Sequence, residues 1–330
     1  MNPHILFVHN HRAKFVQTDL AVLREKYNAR EWYQQSRTVN VPALARAATQ
    51  SDLIFGWFAS WHTFFPLLLA RAAKKPSLLI VGGYDTAKMP DIGYGSQRGG
   101  IKQWIARVTM RLATRLITFS EFSRGEAIRN ARISRDKIVV IYLGVENCRH
   151  TPGLKESIVV TTCNVERSTL IRKGIEPFVR AAPFTPNIDF VVIGAWRDNT
   201  IHYLRSIAAP NVRFTGWLNE QELRDYLSRA RVYVQASRHE GFGLAVAEAM
   251  LNECVPVVTR AGALPEVVGE TGVYIDSPDP GAVADGIKRA LALDEGWGKR
   301  ARERAEREFS IARRREQLYG LVDRMMNGHR

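Results

Sequence analysis

SRHEGFGLAVAEAMLNECVPVVT, residues 237–259, decides how this chain of 330 residues is read. Glu240 and Glu248 bracket seven residues, and Gly241-Phe242-Gly243 follows the first glutamate directly. Upstream, RVYVQAS over 231–237 reads as a short buried strand. Downstream, 244–252 has helical periodicity, with Leu244, Ala247 and Leu251 on one face. A second buried strand follows over 255–259. The predicted order is strand, glycine loop, helix, strand. The helix begins inside the glycine loop, where free backbone N–H groups and the helix dipole favour an anion. Glycines there let the backbone approach a ligand closely. Glu240 stands at the mouth of this site, and Glu248 lies about one and a half turns into the helix. Two carboxylate acceptors flanking a phosphate cradle suit a molecule with phosphates and many hydroxyls, such as a sugar nucleotide. The plainer alternative is a surface helix with two solvated glutamates. EGFG at the first glutamate, with buried strands on both sides, speaks against it.

Further motifs surround this stretch. They are TCNVER over 162–167, RKG over 172–174, FTGWL over 214–218, a helix over 220–230, Ser237, and GALPEVVG over 262–269. On these residues the chain resembles the retaining GT-B glycosyltransferases of family 4, over roughly 115–320 and more loosely before. The resemblance implies an α/β fold with two Rossmann-like, doubly wound parallel-sheet domains facing an interdomain cleft. It also implies a C-terminal helix that crosses back to the first domain. A basic pair six residues apart, Arg167 and Lys173, would bind the donor diphosphate and act catalytically with Glu240. Gly241, Phe242, Gly243, Leu244 and Glu248 would hold the donor, with Gly194, Trp217 and Leu218. Retention of configuration is implied by the resemblance only, since no nucleophile is evident in the sequence. The route proposed for the family is attack from the leaving-group face, the departing phosphate taking the acceptor proton. The family carries a glycine-rich loop after its first strand. Here Asn10-His-Arg-Ala-Lys14 stands there without glycine, and Arg12 and Lys14 could supply the charge on that side.

The chain alternates strand and helix almost throughout. Strands are predicted over 5–9, 51–55, 77–81, 116–119 and 137–142, and helices over 18–27, 42–49, 63–73, 101–114 and 123–130. This alternation implies a parallel sheet covered on both faces. Residues 145–155, with Pro152 and Gly153, read as the linker. The series restarts with strands over 158–163, 189–193 and 212–215 and a helix over 175–182. The expected domains are 1–150, with a helix over about 311–330 added, and 151–310. Ligands of doubly wound domains bind at the C-terminal ends of the strands. Residues 297–326 read as mostly helical, and Arg313-Arg314-Arg315 as a solvated face rather than a nucleic-acid arm.

Composition narrows the class. With 45% hydrophobic residues the chain can bury a core in each domain. No apolar run approaches the ~20 residues of a membrane span. Cys148, Cys163 and Cys254 are scattered and odd in number, which points to a reducing compartment and to three small apolar residues. No signal-peptide layout precedes the first strand, so a cytoplasmic setting is expected. The chain lacks GxGxxG after its first strand, the P-loop pattern, and any Asp-x-Asp pair. Metal-independent chemistry is therefore expected, with no cofactor beyond the nucleotide-diphosphate sugar.

Charge is uneven. Residues 1–150 hold 22 Lys and Arg against 10 Asp and Glu, a net +12 of the chain's +14. Such asymmetry implies an anionic partner for the first domain. GWFASWH over 56–62, VGGYD over 81–85 and DIGYG over 91–95 follow strands. They place two tryptophans, two aspartates, His62, Tyr84 and Tyr94 along one edge. Aromatic faces and carboxylates suit sugars, so His62, Tyr84, Asp85 and Tyr94 are candidate acceptor contacts. Over 101–115, Arg107, Arg111 and Arg115 repeat every four residues beside Trp104, Ile105, Val108 and Leu112. Such a helix suits an anionic membrane surface. The expected function is sugar transfer to a glycan or lipid-linked acceptor; the alternative is a sugar-nucleotide-binding module without transferase activity. The expected location is cytoplasmic, peripheral on the inner membrane face. Nucleic acid is not an expected partner, because charge is all that speaks for it.

Overall fold

The computed structural model of the protein describes residues 2–36, 38–146 and 154–328. Cys148 and most of the expected linker lie outside the described residues. The chain divides into two compact units, one formed by 1–144 and 311–330, the other by 145–310.

The first unit runs β1 (His4–His9), α1 (Lys14–Lys26), β2 (Asn28–Tyr33), α2 (Val41–Thr49), β3 (Leu53–Trp57), α3 (Trp61–Ala72), β4 (Ser77–Val81), α4 (Gly100–Leu112), β5 (Arg115–Thr118), α5 (Glu121–Ala131) and β6 (Ile138–Val140). Its sheet has the order β2-β1-β3-β4-β5-β6, and every pair is parallel. Every residue of β3 and β4 is buried, as a strand covered on both faces requires. Leu6, Val8, Ile54, Leu79 and Leu116 pack with Leu44, Leu67, Met110 and Ala127 of the covering helices. The strand order reverses between β1 and β3, so the loops after these strands border the switch point. Strand β2 was not legible: its sequence NAREWY is mostly polar, and only Ala29 is buried.

The second unit runs β7 (Glu156–Thr162), α6 (Arg167–Arg172), α7 (Ile175–Ala181), β8 (Asp189–Ile193), α8 (Thr200–Ile207), β9 (Val212–Gly216), α9 (Glu220–Arg229), β10 (Ala230–Gln235), α10 (Leu244–Leu251), β11 (Val255–Thr259), α11 (Leu264–Val268), β12 (Val273–Ile275), α12 (Pro280–Leu291) and α13 (Gly296–Phe309). Its order is β12-β11-β10-β7-β8-β9, again all parallel. Here the switch point falls between β7 and β10. Helix α12 carried a start signal that the sequence reading passed over. Asp279 caps it by accepting from the Ala282 amide at 2.9 Å, and Pro280 occupies its first turn.

The predicted helix over 297–326 breaks at Ser310. Helix α13 packs on α10, and the following α14 (Ile311–Asn327) joins the first unit beside α1. The arginine run is not a uniformly solvated face. Arg314 is buried, and its Nε and Nη2 donate to Asp19 of α1 at 2.6 and 2.7 Å. Its Nη1 donates to the carbonyls of Ile141 and Tyr142. Tyr27 adds a hydrogen bond from its hydroxyl to Asp323 at 2.8 Å. Charge on the sequence looked solvent-directed because the acidic partner lies 295 positions away.

Candidate active site

The loop after β10 and the turn after α6 meet at the switch point of the second unit. The turn is held first by backbone geometry. Gly174 adopts φ +68°, and a Cβ there would lie 2.0 Å from the Ala236 carbonyl oxygen. The Arg238 amide donates to the Arg172 carbonyl at 2.8 Å. This contact sets Lys173 against Glu240, and Lys173 Nζ donates to Glu240 Oε2. Both side chains are largely buried. The Glu240 backbone is fixed in turn by Gly262, at φ +65°, where a Cβ would stand 2.1 Å from the Glu240 carbonyl oxygen. The Ala263 amide donates to that same oxygen at 2.9 Å. Only glycine allows both approaches at low cost.

A buried polar chain lies behind the loop. Thr162 and Tyr233 share a hydroxyl hydrogen bond at 2.8 Å, Tyr233 donates to Gln235 at 3.1 Å, and Gln235 donates to Ser237 at 2.7 Å. Thr259 donates to the Ser237 carbonyl at 2.5 Å. The chain ties the ends of β7, β10 and β11 together, and each buried polar group in it finds a partner. Sequence reading missed it, although a Gln and a Ser in an otherwise apolar strand were its signal.

Gly243, at φ +103°, precedes α10, so the helix opens on the glycine loop as expected. Gly241 and Phe242 are buried; the Phe242 ring packs edge-on against Phe309 at 5.3 Å. What Phe242 offers a ligand is therefore its backbone. Leu244 and Glu248 are half-buried on α10. Arg167 is exposed at the first residue of α6, its amide donating to Asp198 at 2.9 Å, whereas Lys173 follows the last residue of that helix. The basic pair thus straddles a short helix. Gly194, at φ +150°, lets the loop after β8 pass the Cys163 carbonyl, where a Cβ would lie at 1.8 Å. Trp217 is 72% exposed after Gly216, with Leu218 half-buried beside it in sequence. Burial pushes the Cys163 thiol up to about 12 despite the pull of Lys173 and Arg172, so it stays neutral. Cys254 is buried, as a small apolar residue would be. Among the described residues no three His, Cys, Asp or Glu side chains gather as a metal site.

The first unit corrects several expectations. Trp57 is fully buried. His62 is buried too, and its Nε2 donates to the Trp57 carbonyl at 2.8 Å. Burial pushes its imidazole down to about 4, so the ring is neutral. Asp85 is buried with both oxygens engaged, by the Ala59 amide at 2.8 Å and the Gly82 amide at 2.7 Å. Burial pushes its carboxyl up to about 7 against those two donors. His62 and Asp85 shape the loops from within instead of facing an acceptor. Asp85 holds a strained turn: Phe58 takes φ +65°, an unfavourable value for a bulky side chain. Tyr84 and Tyr94 are brought together, with ring centroids 5.5 Å apart, and Tyr84 is exposed. Arg12 is exposed and lies over the Tyr33 ring at 4.3 Å. Sequence reading also missed buried His9, whose ring nitrogens face Glu31 at 2.8 Å and the His11 carbonyl at 3.0 Å.

The expected arginine stripe is broken. Helix α4 ends at Leu112, so Arg115 belongs to β5, where it donates to the Asp136 carbonyl at 2.5 Å. Arg107 is half-buried and donates to Gln97 and to the Asn130 carbonyl, while Arg111 and Arg115 are exposed on different elements. The buried face of α4 is Ala106, Thr109 and Met110, while Trp104 is 55% and Ile101 67% exposed. Among the described residues no helix is long and apolar enough to cross a membrane.

Comparison with known proteins agrees with this geometry. Residues 157–292 match the model of a family described as glycosyl transferases group 1. O-antigen chain mannosyltransferase B of Escherichia coli is 29% identical over 55% of this chain and 52% of its own length. Alpha-maltose-1-phosphate synthase of Mycolicibacterium smegmatis is 27% identical over 70% of this chain and 67% of its own. The chain spans about half the length of several curated relatives that it matches. The structure of Anabaena HepE in complex with UDP and glucose superposes with a TM-score of 0.78. It covers 98% of this chain and 100% of the other at 16% identity, which establishes the fold. The chain therefore has the GT-B fold, and its residues 157–292 match the glycosyl transferases group 1 family.

Proposed function

We propose that the protein transfers a sugar from a nucleotide-diphosphate sugar to an acceptor hydroxyl with retention of configuration. The observation that carries this reading is the Lys173–Glu240 pair beside the glycine opening of α10, at the β7/β10 switch point. The names of the relatives, a mannosyltransferase and a maltose-1-phosphate synthase, support the reaction class. The UDP and glucose of the HepE complex support the donor class.

In this reading Glu248 accepts from the ribose hydroxyls, and Glu240 orients the sugar. The amides of Phe242–Leu244 bind a phosphate at the start of α10. The sugar C1–oxygen bond to the diphosphate breaks, and charge grows on the departing oxygen. Lys173 and Arg167 neutralise that charge without a metal ion. The acceptor oxygen bonds to C1 on the same face, and its proton passes to the departing phosphate. Tyr84 and Tyr94 offer the acceptor an aromatic face. The acceptor is a glycan or lipid-linked hydroxyl. Exposed Phe65, Leu68, Ile101 and Trp104, with Lys102 among them, replace the arginine stripe as the surface for an anionic membrane.

A transfer assay with a panel of donors and acceptors tests the reading. Product with unchanged anomeric configuration, formed equally in EDTA, supports it. Donor binding without turnover under every acceptor would favour the binding-module alternative. Activity lost in EDTA and restored by magnesium or manganese would refute the metal-free step.

A further inference from the structure

A cavity of about 550 Å³ opens in the first unit, among the N-terminal ends of its strands. It lies where α3 ends, where α4 gives way to β5, and where β6 begins. This is the opposite edge of the sheet from the loops that follow β3 and β4. Arg71, Lys74, Lys75, Arg115 and Lys137 line it, against a single carboxylate, Asp136.

Three of the five cations are held by backbone oxygens rather than by carboxylates, and Asp136 is the one carboxylate in the lining to offset them. Lys75 donates to the carbonyls of Ala48, Thr49 and Ser51, Lys137 to that of Arg111, and Arg115 to that of Asp136. Among the described residues the side chains of Arg71 and Lys74 make no hydrogen bond or ion pair. Lys74 also sits at φ +53°, at the close of α3, a position that ordinarily favours glycine. Burial and then the repulsion of Arg71, Arg111 and Arg115 push the Lys137 ammonium down to about 8. A cluster of this kind is destabilising until an anion enters it.

We propose that this cavity binds a phosphoryl group, as inorganic phosphate or pyrophosphate or as the phosphomonoester headgroup of a lipid. Arg71 and Lys74 supply the free donors, and the guanidinium of Arg71 can meet two phosphate oxygens together. Lys75, Lys137 and Arg115 provide fixed positive charge around them. The site is independent of the donor residues, all but Arg12 of which belong to the other unit.

Calorimetric titration at low ionic strength with phosphate and pyrophosphate tests this, in a Lys173→Ala background that silences the proposed donor clamp. Binding should be detected, and Arg71→Gln/Lys74→Gln should weaken it at least tenfold, whereas Arg30→Gln, at an exposed position of β2 outside the cavity, should not change it. Both free side chains can be replaced without removing a contact within the fold. A second arm uses phosphatidylcholine vesicles doped with phosphatidic acid or with phosphatidylglycerol. Pelleting that prefers phosphatidic acid and is lost in the double variant assigns the site to a lipid headgroup. Binding of soluble phosphate assigns it to the free anion. Equal binding by the parent and the double variant overturns the proposal, and so does the absence of binding in both arms.

Discussion

Lys173 and Glu240 pair across the junction of β7 and β10, 67 residues apart in sequence and largely shielded from solvent. Each is set by a glycine-permitted approach, Gly174 to Ala236 and Gly262 to Glu240. The pair therefore stands in one place before any ligand arrives, which is what electrostatic preorganisation requires.

Lys173→Ala should lower turnover more than donor affinity, because charge on the diphosphate is greatest as it departs. A hydrogen bond to a charged group is worth about 1.5–3 kcal/mol, roughly 10- to 150-fold in rate. Arg167→Ala should have a smaller effect, since Arg167 is exposed. Steady-state kinetics with the true substrates decide; wild-type turnover in Lys173→Ala removes it from the step.

Gly262→Ala should disrupt the site through the backbone. A Cβ at Gly262 meets the Glu240 carbonyl oxygen at 2.1 Å, while one at Gly281 meets only the tip of Asp279 at 3.4 Å. Strain of this sort costs about 1–3 kcal/mol. Gly262→Ala should unfold at a lower temperature and lose donor binding, and Gly281→Ala should do neither. Equal melting and binding in the two variants would show that the loop tolerates displacement.

Arg314→Ala should destabilise the first unit by about 3–5 kcal/mol, because it leaves Asp19 buried with its charge unmatched. Arg314→Met with Asp19→Leu should recover most of that loss by replacing the pair with apolar contacts. Urea unfolding of the three proteins is the check. A harmless Arg314→Ala would mean that the pair contributes nothing to docking α14.

These cases show what sequence could and could not carry. The strands over 77–81, 189–193 and 255–259 were read with the bounds they have in the structure, because unbroken apolar runs flanked by turn residues leave one solution. The order strand, glycine loop, helix around Glu240 was legible for the same reason. Long-range polar pairing was not: Arg314 looked exposed until Asp19 was placed beside it, and His62 and Asp85 looked like ligand contacts until burial was known. Arg115 was misplaced because helical spacing carried on past a helix that had already ended at Leu112. Periodicity describes a face, whereas the end of an element depends on its neighbours.

Two buried groups in the first unit should make its stability depend on pH in opposite senses. His62 falls from 6.5 to about 4, so the unfolded chain binds the proton first and stability is lost as pH drops through that window. Asp85 rises from 3.8 to about 7, so the folded state keeps its proton and stability is lost as pH rises through that window. His62→Gln should therefore gain stability relative to wild type as pH falls from 6.5 towards 4. Asp85→Asn should gain relative to wild type as pH rises from 4 towards 7. Urea midpoints at pH 4.5, 5.5 and 7 check both; parallel profiles for all three proteins would refute the assignment.

The central claim is that the loop after β10 and the start of α10 hold a nucleotide-diphosphate sugar, with Glu248 on the ribose. Calorimetric titration of wild type and Glu248→Ala with a panel of nucleotide-diphosphate sugars tests it most directly. At least one donor should bind wild type, and Glu248→Ala should bind it about tenfold or more weakly, as loss of a charged hydrogen-bond partner requires, with an unchanged unfolding midpoint. A panel with no binder, or equal affinity for the same donor in both proteins, would contradict the account.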